Sequence, residues 1–321
     1  MFAVYAQGFS KDDPLSGLAI GERPEPEVPD GWTTVTVKAS SINHHDLWSL
    51  RGVGLREEAL PMILGCDAAG LDEDGNEVLV HAVISSPGWR GDETLDPKRS
   101  LLSERYQGTF AEKVAVPKNN VVPMPEGLSF VEAACLPTAW LTAYRMLFTQ
   151  SGLQPGDSVL VQGAGGGVAT SLIMLARAAG FRVYATSRDE DKRARALEIG
   201  AHEVVETGER LPSKVDAVME TVGGATWSHS IRSMRPGGTL VVCGATSGDA
   251  SPAELTRIFF QQMRVHGSTM GTRDELHRLA QFMDVTGVRP LIDRELPMDK
   301  AAQGLKSVAD GDVFGKIVLT L

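Results

Sequence analysis

A glycine-rich run at residues 157–169 carries the residue types whose spacing points most directly to chemistry. It reads Asp-Ser-Val-Leu-Val-Gln-Gly-Ala-Gly-Gly-Gly-Val-Ala, a short apolar strand followed by a glycine cluster that opens a helix. Glycine lets the backbone turn sharply and approach an anion closely, and the free N–H groups at a helix start attract phosphate. We therefore predict that this turn binds the pyrophosphate of a dinucleotide. The residues assigned to it are Ala164, Gly165, Gly166, Gly167 and Val168.

The residues after the next predicted strand indicate which dinucleotide is bound. An Asp or Glu about 20 residues beyond such a turn commonly accepts hydrogen bonds from the adenosine ribose. Here the strand ends in Thr186-Ser187-Arg188, and Lys192 lies one turn into the following helix. Because these groups can hold a 2′-phosphate through charge-assisted bonds of about 1.5–3 kcal/mol, we predict roughly a 10- to 100-fold preference for NADPH over NADH. The alternative is that the cations belong to a solvated helix face.

The segments around the glycine turn alternate between strands and helices. Apolar residues recur at steps of three and four from Val168 to Ala179, which predicts a helix that ends near Gly180. A second helix is predicted at 190–199, and further strands at 181–186, 204–205, 215–219 and 239–242. This alternation implies right-handed crossovers and a parallel sheet, so we predict an α/β fold for this part of the chain.

Residues 1–124 show a different sequence pattern, with short β-rich runs separated by turns rich in Gly, Pro and Asp. These runs lie at 33–39, 77–84 and 109–116. Pro117, Pro123 and Pro125 lie close together and mark the predicted domain boundary. Residues 315–321 have the pattern of a strand, which we expect to pack back on the N-terminal part. We predict a mainly β substrate domain at 1–124 and 271–321, a dinucleotide domain at 125–270, and substrate binding in the cleft between them.

Composition and charge exclude several classes of protein. The chain has 321 residues and 42% hydrophobic content, enough for two cores. A formal charge of −10 argues against non-specific binding to nucleic acid or anionic membranes. No apolar run reaches membrane-spanning length and no secretion signal is recognisable. The three cysteines show no paired spacing, which favours a reducing cytoplasm as the location.

Short motifs spread over nearly the whole chain add a more specific signal. They are Lys38-Ala39-Ser40-Ser41-Ile42-Asn43 with Asp46-Leu47, Leu64-Gly65-Cys66-Asp67-Ala68-Ala69-Gly70, Gly108-Thr109-Phe110-Ala111-Glu112, the glycine turn, Gly200-Ala201, Arg235-Pro236-Gly237-Gly238 and Gly315-Lys316-Ile317-Val318-Leu319. Together they resemble the medium-chain dehydrogenase/reductase superfamily, and within it the zinc-free quinone oxidoreductase branch. The resemblance implies a GroES-like, mainly β domain, a Rossmann domain with a doubly wound parallel sheet, NADPH, hydride transfer and commonly a homodimer. In line with it, we also assign Gly244 and Lys316 to the cofactor site.

The resemblance also allows the presence of a catalytic metal to be judged. Zinc-dependent relatives have Cys, His and Glu where this chain has Asn43, Cys66 and Asp67, and an asparagine amide is a poor zinc ligand. Residues 85–108 contain no cysteine, so the structural zinc site of those relatives is absent. We predict that no metal is bound. The alternative is a rebuilt metal site with His44, His45, Cys66 and Asp67 as donors.

Without a metal, reducing a conjugated carbonyl requires that the nicotinamide C4 face the acceptor carbon and that a donor stabilise the developing oxyanion. Asn43 is the candidate donor, and the alternative is that its amide only ties down the local turn. His45, next to Asp46, is a candidate proton relay that is not expected to be essential.

We therefore predict an NADPH-dependent reductase of quinones or α,β-unsaturated carbonyls. Two other enzymes stay open: a zinc-type alcohol dehydrogenase with altered ligands, and an enoyl-thioester reductase, which the run at 142–147 also resembles. A non-enzymatic alternative is an NADPH-binding sensor or structural protein without turnover.

Overall fold

The structure is a computed structural model that describes residues 1–249 and 253–321. These residues form eighteen strands and nine α-helices. The strands are β1 (Phe2–Ala6), β2 (Leu18–Glu22), β3 (Trp32–Ser41), β4 (Met62–Ile63), β5 (Ala68–Leu71), β6 (Glu77–Val80), β7 (Val83–Ile84), β8 (Ser100–Leu101), β9 (Lys113–Pro117), β10 (Val121–Pro123), β11 (Ser158–Val161), β12 (Arg182–Thr186), β13 (Glu203–Val205), β14 (Val215–Glu220), β15 (Met234–Val242), β16 (Arg264–Gly267), β17 (Ile292–Pro297) and β18 (Lys316–Thr320). The helices are α1 (His44–Leu50), α2 (Phe130–Ala133), α3 (Leu141–Tyr144), α4 (Gly167–Ala178), α5 (Glu190–Glu198), α6 (Trp227–Ser233), α7 (Leu255–Phe260), α8 (Arg273–Thr286) and α9 (Ala301–Asp310).

The chain divides into two compact units, one formed by residues 1–141 with 270–321 and the other by 142–269. Residues 125–141, expected in the dinucleotide domain, therefore lie with the first unit. The reason is packing: α2 contacts β3, β5 and β18, and the π-helical turn Leu136–Trp140 packs on α8. The prolines before residue 126 interrupt the backbone pattern without marking the end of the first core.

The first unit is built around a seven-stranded sheet. Its strand order is β10-β6-β5-β3-β18-β17, and β9 also pairs with β3. Along β3, buried Val35 and Val37 alternate with more exposed threonines, the two-residue period of a strand with one covered face. β18 runs antiparallel to β3 with Val318 opposite Ser41, which confirms the predicted return of the C-terminal segment to the N-terminal part.

The second unit is a six-stranded parallel sheet in the order β13-β12-β11-β14-β15-β16. Counted along the chain this order is 3-2-1-4-5-6, the doubly wound arrangement of dinucleotide-binding domains. The order reverses between β11 and β14, so the ligand crevice expected for such a sheet lies at the carboxyl ends of these two strands.

The predicted elements of the second unit are present with small shifts at their ends. The first helix is α4, and its side chains Leu172, Leu175 and Ala176 are buried. β15 begins at Met234, five residues before the predicted start at residue 239. β16 was not predicted, because this short edge strand is largely exposed and lacks an alternating apolar pattern.

Among the described residues, no helix combines the length and apolar character needed to cross a membrane.

Candidate functional site

The glycine turn connects β11 to α4, at the strand from which the sheet order reverses. Gly163 has φ +77 and Gly165 has φ +137, backbone conformations that residues other than glycine rarely adopt. A Cβ on Gly163 would lie 2.8 Å from Cγ2 of Val222, and a Cβ on Gly165 would lie 3.0 Å from Cδ of Lys192. Both positions therefore require glycine for backbone conformation, and Gly163 also requires it for space.

The amides of the turn separate into two groups. Gly163 N donates to Oγ1 of Thr186 at 3.2 Å and Ala164 N donates to the Thr186 carbonyl at 2.7 Å, which ties the turn to the end of β12. The N–H groups of residues 167–169 begin α4, where a helix offers no internal acceptor. These amides and the positive end of α4 suit a pyrophosphate.

The cationic residues lie where the adenosine ribose would be expected. Ser187 is buried directly after β12, and Arg188 is exposed in the bend before α5. Lys192 lies in the first turn of α5, with its side chain against Gly165. Asp189, the first carboxylate after the strand, caps α5 by accepting from Lys192 N at 3.1 Å. The arrangement brings Lys192 to the glycine turn and directs Asp189 to the helix start.

Gly244 lies just after β15, at the same carboxyl edge of the sheet. A Cβ at this position would be 3.1 Å from the Thr221 carbonyl oxygen, which follows β14. This close approach of two loops explains the glycine independently of any ligand, and the assignment of Gly244 to the cofactor site stays a prediction.

Lys316 forms the centre of a buried polar cluster in the first unit. Its Nζ donates to Oδ1 of Asn43 at 2.6 Å and to the Ile42 carbonyl at 2.8 Å, and lies 3.7 Å from Oδ2 of Asp67. Lys316 is 2% exposed and Asp67 is fully buried. Since its ammonium group is committed to these partners, Lys316 does not stand as the direct cofactor ligand that the sequence suggests. We reassign it to the support of Asn43.

The orientation of the Asn43 amide follows from this contact. An ammonium group cannot accept a hydrogen bond, so the carbonyl oxygen of Asn43 must face Lys316. The Asn43 Nδ2 then donates to Oδ2 of Asp67 at 2.8 Å and to the Ser41 carbonyl at 3.2 Å. Both amide hydrogens are thus engaged, as in the alternative in which Asn43 ties down its own turn. Donation to a substrate would require exchange of the longer bond to Ser41.

Asp46 is a supporting residue whose role sequence reasoning missed. It is fully buried in α1, where Oδ2 accepts from Asn43 N at 2.8 Å and Oδ1 accepts from Gly65 N at 3.1 Å. Burial raises its pKa to about 7. The Asn-x-x-Asp spacing at residues 43–46 is a helix-capping pattern and could have indicated this role. Asp46 joins the turn that carries Asn43 to the turn that precedes Asp67.

His45 does not pair with Asp46, whose two oxygens both accept backbone N–H groups. Its Nε2 instead lies 3.9 Å from Oε1 of Glu104. Burial lowers the pKa of His45 to about 4, so the imidazole is neutral at physiological pH. The relay from His45 to Asp46 considered in the sequence is therefore not formed.

The possible metal donors are not brought together. Sγ of Cys66 donates to the Leu102 carbonyl at 3.2 Å and packs in an apolar cluster with Val83 and Met270. Burial raises the pKa of this thiol well above its usual range. Within residues 1–249 and 253–321, no group of three or more His, Cys, Asp and Glu side chains is arranged to hold a metal ion. The rebuilt metal site is thus not assembled in this structure.

The lowered pKa of His45 predicts a pH dependence of stability. The pKa of His45 is lowered from its ordinary value of 6.5 to about 4 in the folded protein. Between these two pH values, the imidazole is protonated in the unfolded chain and neutral in the folded one. Stability therefore falls as pH falls through this window, by up to about 3 kcal/mol from this residue. Urea unfolding of His45→Asn at several pH values should show a flatter dependence than the parent. The exposed His277, changed to Asn, is the control, and a matching loss of slope there would contradict the assignment.

Comparison with known proteins places this architecture in a family. The model of the alcohol dehydrogenase GroES-like domain matches residues 29–126, and that of the zinc-binding dehydrogenase matches residues 167–285. A crystal structure described as an NAD-dependent alcohol dehydrogenase is 32% identical, with a TM-score of 0.91 and full coverage of both chains. The chain belongs to the medium-chain dehydrogenase/reductase superfamily.

Curated relatives of this medium-chain dehydrogenase/reductase carry different activities in their names. The zinc-type alcohol dehydrogenase-like protein YogA of Leptosphaeria maculans is 28% identical over 89% of this chain and 90% of its own length. The quinone oxidoreductase of Mus musculus is 28% identical over 89% of this chain and 88% of its own. The comparisons confirm the predicted superfamily, with its GroES-like and Rossmann domains, and show an oxidoreductase of a group that uses nicotinamide cofactors.

Proposed function

We propose that this medium-chain dehydrogenase/reductase is an NADPH-dependent enzyme that reduces a quinone or an α,β-unsaturated carbonyl without a catalytic metal. The observation that carries the choice of NADPH is the chemistry at the end of β12. Asp189 is occupied as the cap of α5, Arg188 is exposed, and Lys192 lies against the glycine turn. A 2′-phosphate would meet two cations there.

The proposal of metal-free chemistry rests on the donor set around Asp67. Asn43 offers an amide that is already bound to Lys316 and Asp67, and the Cys66 thiol is turned to a backbone carbonyl. The Lys316 ammonium group, 3.7 Å from Oδ2 of Asp67, supplies the positive charge that this carboxylate needs. A divalent ion at the same carboxylate would be repelled by that ammonium group.

Each part of the chain then has a separate task. When bound, the nicotinamide supplies the hydride. The α4 amides would hold the pyrophosphate, and Arg188 and Lys192 would hold the 2′-phosphate. The Lys316 cluster would hold Asn43, whose Nδ2 would exchange its bond to Ser41 for one to the substrate oxygen and so stabilise the charge that develops there. A proton from solvent would then be taken up by the anion and complete the two-electron reduction.

Cofactor preference is tested by removing the two cations. We expect the variant Arg188→Ala/Lys192→Ala to raise the Kd for NADPH by roughly 10- to 100-fold and to leave the Kd for NADH unchanged, because only NADPH carries the additional phosphate. Fluorescence titration measures both constants. Arg182→Ala is the control, since Arg182 lies at the opposite end of β12 and pairs with Glu203. Equal affinity of the parent for the two nucleotides would contradict the preference.

The reaction class is tested with a panel of substrates. A quinone, an enone, an enoyl-CoA, and an alcohol with NADP are assayed by the absorbance of NADPH. Turnover of the quinone or the enone supports the proposal, whereas oxidation of the alcohol or reduction of the thioester alone would favour the alcohol dehydrogenase or the enoyl-thioester reductase. Tight NADPH binding with no turnover in any assay would favour a sensor or structural protein.

We further propose that the protein forms a homodimer through the β16 edge of the parallel sheet. Among the strands of the described residues, β16 pairs with β15 only, and an unpaired edge is a template for a further strand. Large apolar side chains are exposed near it, at 41–75% of their surface: Leu255, Phe259, Phe260 and Val265. Light scattering should show that Phe260→Glu is monomeric and that Leu95→Glu, another exposed apolar position, keeps the parent mass. A monomeric parent protein would overturn this interface.

A further inference from the structure

Glu220 is a buried carboxylate at the point where the order of the parallel sheet reverses. It ends β14 and is fully buried, and the described residues place no cation against it. Its oxygens accept from Val222 N at 2.8 Å, Gly223 N at 3.0 Å, Oγ1 of Thr226 at 2.8 Å and Oγ of Ser230 at 2.6 Å. Four donors thus converge on a carboxylate that no ion pair explains.

One of these bonds continues across the sheet to the glycine turn. Oγ of Ser230, which donates to Glu220, accepts from Nε2 of Gln162 at 2.9 Å. The Oε1 of Gln162 accepts from Oγ1 of Thr186 at 2.7 Å, and Thr186 Oγ1 in turn accepts from Gly163 N at 3.2 Å. A continuous hydrogen-bond chain therefore joins Gly163 to Glu220 through three side chains.

The direction of every bond in this chain is determined at its two ends. A carboxylate only accepts hydrogen bonds and a backbone N–H only donates them. Each hydroxyl between them must therefore donate its single hydrogen bond on the side that leads to Glu220. The second amide hydrogen of Gln162 goes to Nδ1 of His229 at 2.8 Å, and the His229 Nε2 meets the Glu209 carbonyl at 2.7 Å. His229 is therefore a neutral ring that carries its proton on Nε2, in keeping with a pKa that burial lowers.

We propose that Glu220 is a positioning residue that sets the polarity of this chain and thereby holds both walls of the cofactor crevice. On one wall the chain holds the Gly163 amide toward Thr186, away from the ligand. On the other wall Glu220 binds the amides of Val222 and Gly223 directly. The inference rests on the proposed function in that the ligand of this crevice is a nicotinamide dinucleotide.

The proposal is tested with variants near the two ends of the hydrogen-bond chain. Glu220→Gln has the same shape but presents an NH2 group to the converging donors, and Thr186→Val removes the hydroxyl that accepts from Gly163. Each is expected to raise the Kd for NADPH and for NADH by the same factor, about tenfold, because the pyrophosphate turn serves both nucleotides. Hydrogen exchange of the Gly163 amide, measured without nucleotide, should accelerate in both.

The double variant distinguishes a connected chain from two separate local effects. If the chain acts as one unit, Glu220→Gln/Thr186→Val is expected to bind about as weakly as the weaker single variant, whereas independent effects would multiply. Ser230→Ala, which removes the middle link and keeps the carboxylate, serves in place of Glu220→Gln should that variant not fold. Multiplying effects, or unchanged Kd values in the single variants, would overturn the proposal.

A matched control is present at the other end of the same two strands. Ser158 on β11 donates its hydroxyl to Oδ2 of Asp216 on β14 at 2.6 Å, the same pair of chemical groups far from the glycine turn. Asp216→Asn should leave both Kd values and the hydrogen exchange of the Gly163 amide unchanged. A tenfold rise in Kd for this variant would also count against the role proposed for the hydrogen-bond chain. A parent protein that binds neither nucleotide would instead contradict the proposed function.

Discussion

Lys316→Met is expected to lower the free energy of unfolding by about 3–5 kcal/mol, because it leaves the carboxylate of Asp67 buried without a counter-ion. It also removes the donor that orients the amide of Asn43. Urea denaturation of the purified variant measures the loss. Adding Asp67→Asn should recover part of it, since the unpaired charge is then gone.

The control for this prediction is an exposed pair of the same two residue types. Nζ of Lys306 lies 2.7 Å from Oδ2 of Asp310 on α9, with both side chains more than half exposed. Exposed pairs one helical turn apart contribute only about 0.3–0.5 kcal/mol, so Lys306→Met should change stability little. Similar losses in Lys316→Met and Lys306→Met would show that the buried cluster is not the source of the effect.

Gly165→Ala is expected to weaken binding of both NADPH and NADH by about 10- to 100-fold while the protein stays folded. At φ +137 an alanine costs about 1–3 kcal/mol, and its Cβ would press on Cδ of Lys192 at 3.0 Å. The turn relieves this strain by changing shape, and the amides that begin α4 then no longer match a pyrophosphate. Isothermal titration with both nucleotides measures the loss.

Gly208→Ala separates backbone strain from the cofactor site. Gly208 also has a positive φ, +94, but a Cβ there would meet nothing within 4 Å, and the residue lies in the loop after β13. This variant should lose some stability and keep the parent affinity for nucleotides. Parent-like binding by Gly165→Ala, or equally weakened binding by Gly208→Ala, would contradict the role given to the glycine turn.

Much of the second unit could be predicted from the sequence because its signals are local. The strand, the turn and the helix at residues 157–179 follow one another in the chain, and their periodicities survive without knowledge of any partner. The order of the six strands could not be predicted in this way. It depends on which strands pair, and β11 meets β14 across more than fifty intervening residues.

The candidate site divides along the same line. The turn at residues 164–168 was recognisable because contiguous residues form it, and the resemblance of dispersed motifs pointed to Asn43 and Lys316. The contact between these two residues, and hence their roles, could not be inferred from the sequence. They lie 273 positions apart and meet only because β18 pairs with β3, which places an ammonium group against the amide of Asn43.

Sequence alone was enough to infer the strand-turn-helix that can hold a dinucleotide, the cations that follow β12, and the superfamily. Only the fold brings together the buried polar groups that pair with one another. Lys316 donates a hydrogen bond to Asn43 and forms an ion pair with Asp67. Glu220 accepts from the hydrogen-bond chain that begins at Gly163. Conformational preference acts between residues that are neighbours in the chain, so it can be inferred locally. Pairing of buried polar groups depends instead on the long-range contacts that bring them together.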